Sequence, residues 1–152
     1  MMSGLLLRAA ALAAVALLPA CRHAAPPAAM NAAHLRTGQA VWRPAAGAPE
    51  VAGELLVAGQ PDGELLAEFA KPPHSLAQAR LRASGWEVTA PGRRALRGRA
   101  APPGEPVWPA LLFWLRDGHA PAGWRGGGPD ETGSWRLENP ATGERLEGFL
   151  SP

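Results

Sequence analysis

The sequence predicts a mainly β fold, a single antiparallel meander that forms a half-barrel or a small barrel or sandwich, with one short apolar helix. Three observations lead to this prediction. Short alternating segments are separated by Gly- and Pro-rich turns from residue 40 onward, one apolar segment spans 107–115, and the preceding stretch 21–39 is rich in Ala and Pro. Strands of about 5–8 residues between frequent turns are typical of antiparallel sheets, and the N-terminal stretch predicts a flexible tether.

The first twenty residues have the pattern of an export signal. Arg8 is the single charge among the first residues, and an apolar run follows from Ala9 to Leu18. A short basic segment, an apolar stretch of about 7–15 residues and a small residue before the cut define such a signal. The run is too short to span about 30 Å of hydrocarbon. Residues 1–20 are therefore predicted to be removed.

The segment Leu18–Cys21 resembles the lipobox of bacterial lipoproteins, with Leu first, a small residue third and Cys at the end. The resemblance implies a diacylglycerol on Cys21, cleavage just before it, and a membrane anchor of two or three acyl chains such as palmitate. Arg22 rather than Asp follows, which implies the outer membrane, facing the periplasm. An ordinary secreted protein with a Cys near its cleavage site is the alternative.

The remaining chain divides into a tether, 21–39, and a β-rich domain, 40–152. The tether contains little that a core could bury. The net charge of the whole chain is +2, which does not favour a nucleic-acid partner. Cys21 is the single cysteine, so a lipid on its sulfur leaves no thiol for a disulfide, a metal or a nucleophile.

Alternation and turn residues predict the strands of this domain. The turn Gln60–Gly63 places Pro, Asp and Gly where a β-turn favours them, so 51–58 and 64–71 are predicted to form a hairpin in which Leu65, Ala67 and Phe69 share one face. The other predicted strands are 40–43, 76–82, 86–89, 94–99, 135–138 and 144–150.

The segment 107–115 is apolar on every side, which is typical of a buried element. Pro109 suits the first turn of a helix and Asp117-Gly118 suits its end, so a helix over 109–116 is predicted. A buried strand is the alternative, because a short apolar run has no decisive period. The segment either fills the core or forms a lid or plug over an apolar cavity.

No motif for catalysis or metal binding is visible in the sequence. Asp62, Asp117 and Asp130 lie beside Gly or Pro and are interpreted as turn residues. Glu54 and Glu68 are interpreted as solvated strand residues, although a carboxylate pair could serve a glycosidase. The His residues form no cluster of the three or four ligands that a metal needs. We therefore expect a protein without enzymatic activity, metal or cofactor, apart from the covalent lipid.

The stretch 53–124 resembles the LolA/LolB family of lipoprotein carriers and receptors. The resemblance rests on Gly53–Leu55 at the start of a meander, the hairpin to Phe69, the strands around Trp86, and Phe113–Gly118 before a Pro-containing loop. Members of that family are open antiparallel half-barrels that hold lipoprotein acyl chains on a concave side covered by short helices. The resemblance implies the same fold and ligand class here.

The expected function is thus a non-catalytic, lipid-anchored envelope protein that binds a lipid or acyl chain in an apolar cavity. The candidate lining residues are Leu66, Phe69, Trp86, Trp108, Leu112 and Trp114. The alternative is a structural or assembly lipoprotein that binds another envelope protein through a sheet edge or an apolar patch. A cavity would favour the first interpretation, and a packed core with an exposed edge or patch would favour the second.

Overall fold

The computed structural model describes residues 35–99, 104, 106–127 and 132–151. Over these residues the protein is mainly β, with nine antiparallel strands in one open sheet and one short helix. The strands are β1 (Leu35–Arg43), β2 (Val51–Gly59), β3 (Leu65–Lys71), β4 (His74–Arg82), β5 (Gly85–Thr89), β6 (Leu96–Gly98), β7 (Arg125–Gly127), β8 (Ser134–Glu138) and β9 (Arg145–Leu150), and the helix is α1 (Val107–Asp117).

The sheet consists of two meanders joined through the first strand. Its order is β6-β5-β4-β3-β2-β1-β9-β8-β7, so that β1 lies between β2 and β9. The chain runs through β1–β6, crosses one face of the sheet as α1, and returns as β7–β9 on the other side of β1. The predicted mainly β fold of antiparallel strands with one short helix is therefore confirmed, as one open sheet with β6 and β7 at its two edges.

The first strand begins at Leu35, five residues before its predicted start at Ala40. Leu35–Thr37 are exposed, so no alternation of buried and exposed side chains marks them as part of a strand. Their backbone is paired with β2, where Leu35 faces Ala58, and from Gly38 onward β1 is also paired with β9. Backbone pairing rather than side-chain burial sets this boundary. The predicted signal peptide, Cys21 and most of the predicted tether lie outside the described residues.

The helix forms where the sequence predicts it, with two more residues at its start and one more at its end. Pro106 precedes the first helical residue, Val107, and Pro109 falls in the first turn, where backbone N–H groups have no intrahelical acceptor. Gly118 ends the helix with φ 76° and donates its N–H to the Trp114 carbonyl at 2.8 Å. A residue without a Cβ adopts this left-handed conformation without strain. The predicted stop at Asp117-Gly118 is confirmed.

The core lies between α1 and the face of the sheet that α1 covers, which we call the inner face. The helix contacts β3, β4, β5 and β8, so it bridges the two meanders. Val107, Ala110, Leu111 and Leu112 are fully buried. Each large apolar side chain buried in this way stabilises the fold by about 1.5–3 kcal/mol, which makes α1 the main filling of the inner face.

Candidate ligand-binding interior and outer-face grooves

An aromatic cluster joins the start of α1 to the inner face of the sheet. The rings of Trp108 and Phe69 stack with centroids 5.2 Å apart, and Trp42 packs against them at 5.3 Å from Trp108 and 6.4 Å from Phe69. Towards the end of the helix, Trp114 packs on Trp135 at 5.7 Å. Such pairs add about 0.5–1.5 kcal/mol beyond their buried area. The two clusters fix both ends of α1 to the sheet.

The structure brings five of the six predicted lining residues into one core cluster and separates the sixth. Phe69, Trp86, Trp108, Leu112 and Trp114 belong to that cluster, and each is at most 8% exposed. Leu66 is also buried but lies outside the cluster. Since successive side chains of a strand point to opposite faces, Leu66 lies on the outer face of β3, whereas Phe69 lies on the inner face.

The inner face is densely packed around these residues. Gly53 shows how close the contacts are, because a Cβ added there would lie 2.8 Å from the Phe69 ring and 2.6 Å from the Ala70 carbonyl oxygen. The helix fills the space above the sheet with side chains that are almost fully buried. An acyl chain on this face therefore has to take the place of side chains that α1 now supplies.

Two adjoining grooves lie on the outer face, which the sequence did not single out. One has a volume of about 890 Å³ and crosses β1, β2, β8 and β9. The other has a volume of about 600 Å³ and crosses β1, β2 and β3. Phe149, which is 43% exposed, lines both, together with Gln39 and Glu54. Phe149 was missed because alternation shows which residues share a strand face but not which face stays exposed.

A third groove, of about 850 Å³, lies on the outer face of β4, β5 and β6. Four arginines line it, Arg80, Arg82, Arg97 and Arg99. Glu87 is also part of the lining and accepts two hydrogen bonds from Arg97, at 3.0 and 2.7 Å. These bonds hold the pKa of Glu87 below its ordinary value. Because four arginines and one glutamate line the groove, its net charge is positive.

Of the carboxylates that the sequence assigned to turns and solvated faces, Asp62 lies in a turn, Glu54 and Glu68 lie on the outer face, and Asp117 is the last residue of α1. Asp62 accepts a hydrogen bond from the Glu64 backbone N–H at 3.0 Å. Asp117 accepts two from Arg116, at 2.6 and 2.9 Å, and these lower its pKa. Glu54 and Glu68 are diagonal neighbours across β2 and β3, since Glu54 faces Ala70 and Leu56 faces Glu68. Both line the smaller outer groove. Asp130 lies outside the described residues.

One buried carboxylate was not foreseen. Glu144 is 2% exposed, and its Oε1 accepts a hydrogen bond from Trp42 Nε1 at 3.0 Å. The turn before it is held by hydrogen bonds between Asn139 and Glu144 and between Gly143 and Asn139. Asn139 also donates a side-chain hydrogen bond to the Gly104 carbonyl. Glu144 thus ties the β8–β9 turn to the aromatic cluster. The sequence offers no local sign of this, because the partners are 102 positions apart.

Within the described ranges, no group of three or more His, Cys, Asp or Glu residues is placed to hold a metal ion. The helix that these ranges contain is not long and apolar enough to cross a membrane.

Comparison with known proteins found no matching family model, no similar curated protein and no similar solved structure.

Proposed function

We propose that the protein is a lipid-anchored lipoprotein of the bacterial envelope, without enzymatic activity, that binds a lipid or acyl chain between α1 and the inner face of its sheet. The lipobox-like Leu18–Cys21 supports the anchor, which would place the domain at the outer membrane, facing the periplasm. The observation that carries the ligand class is the helix, whose apolar side chains cover the inner face of a sheet that has two separate edges.

The helix is the element that has to move. Pro106 precedes it in an extended conformation and Gly118 ends it in a left-handed one, so neither of these residues continues the helix directly into a strand. Its contacts with the sheet are apolar and non-directional. An acyl chain offers the inner face the same kind of contact, about 0.8 kcal/mol for each buried CH₂. Exchange of helix side chains for methylene groups therefore has a small net cost.

The resemblance to the LolA/LolB family supports the same ligand class. The described fold is an open antiparallel sheet with a helix on one face, as that resemblance implies. The lining predicted for the ligand is then Phe69, Trp86, Trp108, Leu112 and Trp114. Leu66, on the opposite face of β3, is left out of it.

The test uses a form of the protein that is exported but not lipidated. In this form Cys21 is replaced by Ser, and an ordinary secretory signal is fused directly before residue 21. Native mass spectrometry of this protein from a bacterial envelope is expected to show a co-purified lipid. Stearate with a nitroxide on its chain is expected to quench the fluorescence of the buried tryptophans. The quenching is expected to saturate at one stearate per protein molecule. A lipid-free mass together with no saturable quenching would contradict the ligand proposal.

A second candidate is an assembly lipoprotein that binds another envelope protein through the outer face. The exposed Phe149 and the two grooves beside it favour this function, as does the dense packing of the inner face. Aromatic side chains are enriched at the centres of protein interfaces. Crosslinking in the envelope from a photoreactive residue at position 149 tests it, with the exposed position 96 on the far edge as the control.

A further inference from the structure

We propose that the arginine groove on β4–β6 is a docking surface for the phosphate head groups of the membrane that holds the lipid anchor. The proposal rests on the anchored location proposed above and adds to it which side of the domain faces the bilayer. It is carried by the charge of the groove and by its position on the same rim of the sheet at which β1 begins.

The topology places the start of β1 and the groove on one rim. Leu35, the first residue of β1, is paired with Ala58 near the end of β2. In an antiparallel sheet every second connection lies at the same end, so this rim also carries the turn between β4 and β5, at Ala83-Ser84. β6 ends there too, because Gly98 faces Trp86. We call this end of the strands the Leu35 rim.

The anchor cannot lie far from this rim. Fourteen positions separate Cys21 from Leu35, and an extended chain spans at most about 3.3–3.6 Å per residue, so the rim lies within about 50 Å of the lipid-bearing sulfur. The chain that links them joins the sheet at the Leu35 rim and not at the opposite one. The lipid anchor therefore joins the domain at this rim, which favours an orientation in which this rim faces the membrane.

The arginines of the groove exceed the acidic groups that neutralise them. Arg82 is paired with Glu64 at 3.0 Å and Arg97 with Glu87 at 2.7 Å. Arg80 and Arg99 form no ion pair within the described part of the chain. The side chain of Arg82 is 45% exposed and that of Arg97 is 73% exposed, so solvent and phosphate groups can reach them.

The neighbouring outer face has the opposite charge. Glu54 and Glu68 line the smaller outer groove on β1–β3, while arginines line the groove on β4–β6. The guanidinium group binds phosphate oxygens through paired N–H donors. Leu35, 40% exposed on the same rim, adds an apolar side chain that can reach the acyl boundary. Together these features fit an anionic membrane surface.

The experiment measures binding of the unlipidated Cys21→Ser chain to vesicles of phosphatidylethanolamine and phosphatidylglycerol, against vesicles of phosphatidylcholine alone, by co-sedimentation. The parent protein is expected to bind the anionic vesicles, and R80Q/R99Q is expected to bind them about 10- to 30-fold more weakly, from the usual contribution of a basic residue near an anionic surface. The matched control is R93Q/R94Q, which removes two exposed arginines from the β5–β6 turn at the opposite rim.

Three results would overturn the proposal. The parent protein could fail to sediment with anionic vesicles, which would leave an acidic protein partner as the occupant. R80Q/R99Q and R93Q/R94Q could weaken vesicle binding equally, which would show that the net charge of the protein, and not the arginines at this rim, determines the binding. R80Q/R99Q could bind anionic vesicles as tightly as the parent protein, which would show that the groove takes no part in the binding. Because the unlipidated chain is used and no acyl ligand is needed, these results are separate from those that test the anchor and the interior.

Discussion

Truncation of Leu112 to alanine tests both the packing of α1 and the proposed ligand site. Leu112 is fully buried in the core cluster. Removal of its three outer carbon atoms loses about 2.4 kcal/mol of transfer free energy, and the space that remains adds a cavity cost, so Leu→Ala changes in cores cost about 2.7–5 kcal/mol. We expect Leu112→Ala to lower the free energy of unfolding by about 3 kcal/mol. In a domain of this size the melting temperature falls by about 10–15 °C.

The measurement is urea unfolding followed by tryptophan fluorescence, with two control variants. Leu96 is 50% exposed on the edge strand β6, so Leu96→Ala is expected to change stability by less than about 0.5 kcal/mol. Leu137 is as deeply buried as Leu112 but lies on β8, so Leu137→Ala is expected to be destabilising to a similar degree. A Leu112→Ala effect no larger than that of Leu96→Ala would refute the described packing of α1.

The same variant carries information about function. Because Leu112→Ala removes volume that an acyl chain has to displace, it is expected to bind palmitate more tightly than the parent protein by titration calorimetry. At a free concentration of 100 times the Kd, a ligand restores about 2.7 kcal/mol of apparent stability. If palmitate stabilises neither Leu112→Ala nor the parent protein, the interior does not accept an acyl chain.

Three further changes test the anchor, the buried carboxylate and an edge ion pair. Cys21→Ala is expected to move the protein from the membrane to the soluble periplasmic fraction, and retention in washed membranes would contradict a lipid anchor. Trp42→Phe removes the hydrogen bond that Trp42 Nε1 donates to Glu144 Oε1 and is expected to lower the free energy of unfolding in urea by about 1–3 kcal/mol, part of which Glu144→Gln should restore because a neutral amide is easier to bury. Since Arg97 lowers the pKa of Glu87, their pairing stabilises the fold above the ordinary carboxyl pKa and is lost as the pH falls through the lowered one. An NMR titration should give Glu87 a lower midpoint than in Arg97→Gln, and equal midpoints would rule the pair out.

Local patterns predicted the hairpins and the helix because their determinants are close in sequence. The turn at Gln60–Gly63 and the alternation of Leu65, Ala67 and Phe69 specify the β2–β3 hairpin without help from the rest of the chain. The missed strand β7, Arg125–Gly127, contains two glycines and no apolar side chain. It exists because its backbone pairs with β8, and pairing with a distant partner leaves no mark on the sequence.

The sequence predicted residues that lie together in the core, but not which side chains each face of the sheet leaves exposed. Five of the proposed lining residues do share one core cluster, because apolar residues of matched alternation and an apolar helix pack against each other. Leu66 lies on the other face of β3, since it is one position out of phase with Ala67 and Phe69. The exposure of Phe149 depends on what covers each face, and that depends on where α1 crosses the sheet.

The sequence by itself determined the class of fold, the position of the helix and the lipobox-like segment, because turn residues, alternation and short motifs act over a few positions. Only the tertiary structure decided that β9 returns beside β1, that Glu144 is buried against Trp42, and that four arginines from β4 and from β6 and its end line one groove near the rim where β1 begins. These features join residues far apart in the chain. They follow from strand order and register, which depend on the packing of the whole sheet and not on any single segment.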